Sequence, residues 1–220
     1  MLSLAVLASG SGTNLAALLD ACAEGRIPAR VSVVICNVPG ARALDRAQTA
    51  GVAAVLLDHK SFPDRAAFEA AIDAELSARK VDLVVLAGFM RMLGAAFVAR
   101  WAGRIVNVHP SLLPSFPGLA APRQAIDAGV RISGCTVHVV DAGQDTGPIL
   151  AQAAVPVFPD DTEELLRIRI QAQEHRLLPH AIKLIAEGKV RLEGRRFHFD
   201  PEAAASCSVE AISCPEPERT

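Results

Sequence analysis

Apolar positions along the chain come in short unbroken runs. Residues 2–8, 31–37, 53–57, 82–87 and 105–108 are dominated by Val, Leu, Ile, Ala and Cys over strand-like lengths. Runs without a regular polar face suit strands covered on both sides, as in a parallel sheet. Between them, 15–23, 41–50, 64–80, 95–101 and 121–128 carry helical spacing. From 134 the pattern changes: 134–140 alternates polar and apolar, and 149–157 is a further strand across a glycine-rich loop. These two are expected to form an antiparallel hairpin added to the sheet. Asp161 and Thr162 then cap a long helix to about residue 187, with Pro179 expected to kink it. Residues 190–192 and 196–199 flank Glu193-Gly194-Arg195 as a last hairpin. Beyond Asp200 the chain turns to Pro, Ser, Glu and Ala, and a disordered tail is expected over 201–220. Strands alternating with helices predict an α/β fold, an open and mostly parallel twisted sheet in one domain over 1–200.

Composition narrows the function. The 220 residues are 51% hydrophobic but only 4% aromatic, with no Tyr, so the core is aliphatic. With 22 basic and 24 acidic residues, nothing electrostatic favours nucleic acid or an anionic membrane as partner. Five widely spaced cysteines without a C-x-x-C pair argue against a disulfide framework and against a zinc site. No apolar run is long enough to span a bilayer, and the first strand follows Met1 without a basic leader. A soluble cytoplasmic protein is the expectation.

Ligand sites in such a sheet lie outside the carboxyl ends of its strands. Four segments fall there. Ser9-Gly-Ser-Gly-Thr-Asn14 turns from the first strand into a helix, where glycine backbone and helix N-terminus can meet an anion. Leu15 replaces the third glycine of the dinucleotide fingerprint, and no Gly-Lys-Ser/Thr follows, so a phosphate monoester fits better; a plain turn capped by Thr13 or Asn14 remains the alternative. Gly88-Phe-Met-Arg-Met-Leu93 places Arg91 in an apolar loop. Asn107-Val-His109 puts an amide and an imidazole on one face of extended backbone, stiffened by Pro110, Pro114 and Pro117. Asp141-Ala-Gly-Gln-Asp-Thr-Gly-Pro148 supplies Asp145. His138, alone on its strand, reads as structural. A histidine with a carboxylate partner and an amide donor suits proton transfer with oxyanion stabilisation, and hence direct acyl transfer between two bound substrates.

Three runs carry a family resemblance: 87–93, Asn107-Val-His-Pro-Ser-Leu-Leu-Pro-Ser-Phe-Pro-Gly118, and 141–148. Together, in this order and from residue 2 to about 185, they resemble the glycinamide ribonucleotide formyltransferases, folate-dependent enzymes of purine biosynthesis. The resemblance implies the Rossmann-like formyltransferase fold. It implies transfer of a formyl group from 10-formyltetrahydrofolate, with no metal, to the amine of glycinamide ribonucleotide. Gly12, Thr13 and Asn14 match the phosphate loop. Glu174 matches a position at the substrate amine or ribose. Arg65, Met90, Arg91, Met92, Leu93 and Asn107 match the folate side. Asn107 would donate to the formyl oxygen. His109 would stabilise the oxyanion as imidazolium, held there by Asp145. The partners implied are these two small molecules, in a monomer or homodimer without nucleic acid or membrane.

The sequence departs from the family at Ala120, where a His is frequent, and at Ser115, where some members have Lys. A methionyl-tRNA formyltransferase would need a further carboxyl-terminal domain and a basic surface. A formyltetrahydrofolate hydrolase would be expected to carry an amino-terminal regulatory domain ahead of the strand at Leu2. A non-catalytic nucleotide-binding module would leave Asn107, His109 and Asp145 without a purpose.

Overall fold

The computed structural model describes residues 1–205. Seven strands form one sheet: β1 (Leu2–Ala8), β2 (Ala29–Cys36), β3 (Ala54–Leu56), β4 (Leu83–Leu86), β5 (Ile105–His109), β6 (Ile132–Val139) and β7 (Ile149–Pro156). Their order is β3-β2-β1-β4-β5-β6-β7. The first five are parallel, while β6 pairs antiparallel with both β5 and β7. The chain winds outward from β1 through β2 to β3, then restarts at β4 on the other side. This reversal opens a crevice at the carboxyl ends of β1 and β4.

Period-two alternation sends each strand's side chains into two separate cores. Leu4, Val6 and Ala8 meet helices α1 (Thr13–Ala23), α2 (Arg42–Thr49), α5 (Ala121–Asp127) and α6 (Glu163–Ala186) on one face. Ala5 and Leu7 meet α3 (Arg65–Ala78) and α4 (Ala95–Arg100) on the other, around Phe68, Ile72, Phe97 and Trp101. Asp64 caps α3 by accepting from the Ala67 N–H, and Thr162 caps α6 by accepting from Leu165. Pro179 lies buried inside α6, which continues through it to Ala186. The hairpin β8 (Val190–Glu193) and β9 (Arg196–Phe199) forms a second small sheet.

Three local expectations change. Helix α1 begins at Thr13, and neither Thr13 nor Asn14 caps it; Gly12 precedes it in the left-handed region. Strand β6 alternates as read, yet its polar face is buried too. Thr136 donates to the Ser111 carbonyl and accepts from the Leu113 and Gln152 N–H groups, so its hydroxyl is satisfied inside the protein. At the carboxyl end, Pro201–Ala205 forms a helical turn, α7, where disorder is expected. Asp200 accepts from the Ala203 N–H, Lys189 pairs with Glu202, and Ala203 is buried. The rest of that expected tail, 206–220, lies outside the described residues. No helix among the described residues is long and apolar enough to cross a membrane.

Gly12 shows what the first turn requires. Its φ is +67°, and a Cβ there would lie 2.9 Å from the Ala43 Cα of α2. Close packing of α1 on α2 therefore demands glycine, independently of any anion. Gly12→Ala should lower stability by ~2 kcal/mol or more in urea unfolding. Gly10→Ala, where a Cβ meets nothing within 4 Å, should stay close to wild type. Equal losses would contradict this reading of the turn.

Candidate active site

Strand β5 delivers Asn107 and His109 on one face, with His109 buried as the last strand residue rather than in the following loop. Pairing with β6 sets Asn107 opposite His138. The 141–148 loop between β6 and β7 then carries Asp145 across both histidines. Asp145 Oδ2 lies 3.5 Å from His109 Nδ1, and Oδ1 lies 3.6 Å from His138 Nε2. The Gly118 N–H donates to Oδ2 at 2.8 Å. The His138 imidazole, then the Gly118 N–H and His109, outweigh partial burial and hold the Asp145 carboxyl below its ordinary value.

Hydrogen-bond partners orient both rings. His109 Nε2 donates to the Phe116 carbonyl at 2.9 Å. With Asp145 3.5 Å from Nδ1, both nitrogens face oxygen acceptors. His138 Nδ1 donates to the Val139 carbonyl at 3.1 Å, and its Nε2 lies 3.2 Å from Asn107 Nδ2 and 3.6 Å from Asp145 Oδ1. Asn107 thus shares a cluster with His109 through His138 and Asp145. The surrounding backbone is unusual: Asp145, Phe116 and Ala120 have φ of 53°, 55° and 56°. Non-glycine residues in the left-handed region cluster where structure is over-determined around functional sites. His138, read from the sequence as structural, joins this cluster through Asn107 and Asp145. Its signal was the polar face of β6, which becomes informative only once the Asn107–His138 register is known.

One cavity borders this cluster and a second adjoins that cavity. One, of about 290 Å³, is lined by Met90, Arg91, Met92, Asn107, His109, Ala120 and Asp145 among others. Met90 and Met92 are exposed there at 66% and 54%. The other, of about 320 Å³, is lined by the 9–14 turn, Arg167, Gln171 and Glu174. Gly88, Met90, Val108 and Pro110 border both. Within the second, Asn14 Nδ2 donates to Glu174 Oε2 at 2.9 Å, and Gln171 donates to the Thr13 hydroxyl at 3.0 Å. Asn14 Oδ1 is buried without a hydrogen-bond partner. Burial pushes the Glu174 carboxyl up, against the Asn14 donor and Arg167. Arg167, paired with Glu164 at 2.6 Å, is a cation at this cavity that the sequence reading did not single out.

Two expected residues line neither cavity. Arg65 sits at the start of α3, 3.8 Å from Glu69, whose carboxylate accepts from the Gly94 N–H. Leu93 packs on the core around α3 and α4. Arg91 lines the cavity, and its guanidinium stands 6.0 Å from the Phe68 ring. Among the described residues no cluster of His, Cys, Asp and Glu could hold a metal ion. Cys22, Cys36 and Cys135 are free thiols, and burial pushes Cys135 up to about 12.

Fold and site define an α/β protein with a histidine–carboxylate–amide cluster beside a cavity at the carboxyl edge of its sheet. The family model for formyl transferases matches residues 2–182. The chain is 42% identical to the phosphoribosylglycinamide formyltransferase of Escherichia coli K12 over 191 residues, covering 87% of this chain and 90% of that one. It is 50% identical to the trifunctional purine biosynthetic protein adenosine-3 of Drosophila melanogaster over 84% of its length, but spans only 14% of that protein. In structure it is similar to glycinamide ribonucleotide transformylase 1 of Symbiobacterium toebii, with TM-score 0.89 and 55% identity over 90% of this chain and 94% of that one. The chain therefore belongs to the formyl transferase family, on its phosphoribosylglycinamide formyltransferase branch.

Glu174 supplies a test of the second cavity. A carboxyl with a raised folded-state value binds more protons folded than unfolded, so its contribution to stability falls as pH rises past the ordinary carboxylate range. Glu174→Gln keeps an acceptor for Asn14 and removes that loss. Urea unfolding should show the variant gaining on wild type between pH 4 and pH 7. A variant that keeps a constant difference from wild type, or loses ground to it, over that range would contradict a buried carboxylate whose charge is disfavoured.

Proposed function

We propose that this chain transfers the formyl group of 10-formyltetrahydrofolate to the amine of 5-phosphoribosylglycinamide. The products are formylglycinamide ribonucleotide and tetrahydrofolate, in de novo purine synthesis. The observation that carries this reading is the Asn107–His138–Asp145–His109 cluster at a cavity that shares a wall with a second one. The cavity beside the 9–14 turn takes the ribonucleotide, with phosphate at Gly12, Thr13 and Asn14 and the amine or ribose toward Glu174. The cavity beside Met90, Arg91 and Met92 takes the folate.

The substrate amine attacks the formyl carbon, and the carbonyl oxygen becomes an oxyanion. Asn107 and His109 donate to that oxygen, and preorganised donors of this kind lower the barrier most. To donate through Nε2, His109 must exchange its Phe116 carbonyl partner for the substrate oxygen. Asp145, ionised at neutral pH, stabilises the imidazolium and fixes its orientation. Collapse breaks the bond from carbon to N10 of the folate. The amine loses a proton and N10 gains one, so no covalent enzyme intermediate is needed.

An assay of purified protein with both substrates should consume 10-formyltetrahydrofolate only when the ribonucleotide is present. Consumption without it, with release of formate, would favour a hydrolase. Asn107→Ala should lower kcat by about two orders of magnitude, as loss of one oxyanion donor does. Its ribonucleotide KM should stay within a few-fold of wild type. A large KM effect with unchanged kcat would place Asn107 in binding instead.

A further inference from the structure

The strand exits at the crevice are joined by one side chain. Ser9 follows β1, Gly88 and Met90 follow β4, and Asn37 follows β2; in the sheet β1 lies between the other two. Ser9 grips the β4 exit twice. Its N–H donates to the Gly88 carbonyl at 3.0 Å, and its hydroxyl oxygen accepts from the Met90 N–H at 2.8 Å. The hydroxyl proton goes to Asn37 Oδ1 at 2.6 Å. Asn37 is buried, and its amide and carbonyl lie 3.2 and 3.0 Å from His59 Nδ1. Both capacities of the hydroxyl are used, so it sets the spacing of three adjacent loops at once.

We propose that Ser9 is a positioning residue for the folate donor: its hydroxyl fixes the Gly88–Met90 turn beside the cavity that receives it. This rests on the functional reading above. Gly88 keeps its bond to the Ser9 N–H and Phe89 packs on the core, but the Met90 side chain is exposed, so the hydroxyl bond holds the Met90 end of the turn. Without the hydroxyl, the Met90 N–H turns to water and the Met90–Met92 lining loses its register against Asn107 and His109. Gly88 and Met90 border both cavities, whereas Phe89, Arg91 and Met92 line only the donor cavity, so the misplacement falls more heavily on donor binding.

Steady-state kinetics and amide exchange of Ser9→Ala and Ser9→Thr test this. Ser9→Ala should raise the KM for 10-formyltetrahydrofolate about tenfold and the ribonucleotide KM by a clearly smaller factor. Ser9→Thr, which keeps the hydroxyl, should recover most of the donor KM. Exchange of the Met90 amide should accelerate in Ser9→Ala while that of Ala87, bonded to the Leu7 carbonyl, stays slow. An unchanged donor KM, or a ribonucleotide KM that rises as much as the donor KM, would overturn the proposal. Unchanged Met90 exchange would overturn it whether or not the protein turns over these substrates. Failure of wild-type protein to transfer formyl would instead fall on the functional reading.

Discussion

Asp145 meets an imidazole on each of its oxygens, His109 at 3.5 Å and His138 at 3.6 Å, and takes the Gly118 N–H besides. The rest of the site is arranged to make this contact possible. A parallel strand would have sent its following loop away to a helix. The antiparallel β6 instead returns along β5, and the β6–β7 loop folds back over the two histidines. That loop is tight: Gly147 lies so near the Val139 carbonyl that a Cβ would sit 1.7 Å from its oxygen. Asp141 closes it internally by accepting from the Gly143 N–H and the Thr146 hydroxyl. Asp145 reaches the histidines from a left-handed backbone, a conformation of a kind held in place by its surroundings rather than by preference.

Two structural consequences follow from the position of this cluster. It borders the cavity at the β4 and β5 exits, and that cavity shares a wall with the one at the β1 exit. A group at the wall is therefore within reach of ligands in both. The electrostatics differ on the two sides. Asp145 is held ionised by imidazoles and a backbone donor, whereas burial disfavours the charge on Glu174. The surroundings thus drive the two carboxyls in opposite directions.

Much of the fold was legible because buried parallel strands leave continuous apolar runs, and because Asp64 and Thr162 announce their helices. Asn107, His109 and Asp145 were legible as a set because strand ends and rigid turns mark the functional edge. His138 was not, since its role depends on the strand register that places it across from Asn107. Arg65 pairs with Glu69 and Leu93 packs on the core, contacts that depend on the tertiary structure and are not encoded in a sequence match. Gly12 carries two constraints at one position, a left-handed backbone and contact with Ala43, and neither was inferable from the glycine pattern, which pointed to an anion. Pro201–Ala205 has the composition of a tail, yet the Asp200 cap and the burial of Ala203 order it.

The account stands on His109 and Asp145 acting as one unit, and a double-mutant cycle in kcat at saturating substrates measures that directly. His109→Ala and Asp145→Asn should each lower kcat by roughly two or more orders of magnitude. The double variant should be only slightly worse than either alone, because removing one member of a unit already removes its effect. Fully additive losses would show that Asp145 does not work through His109 and would contradict the mechanism.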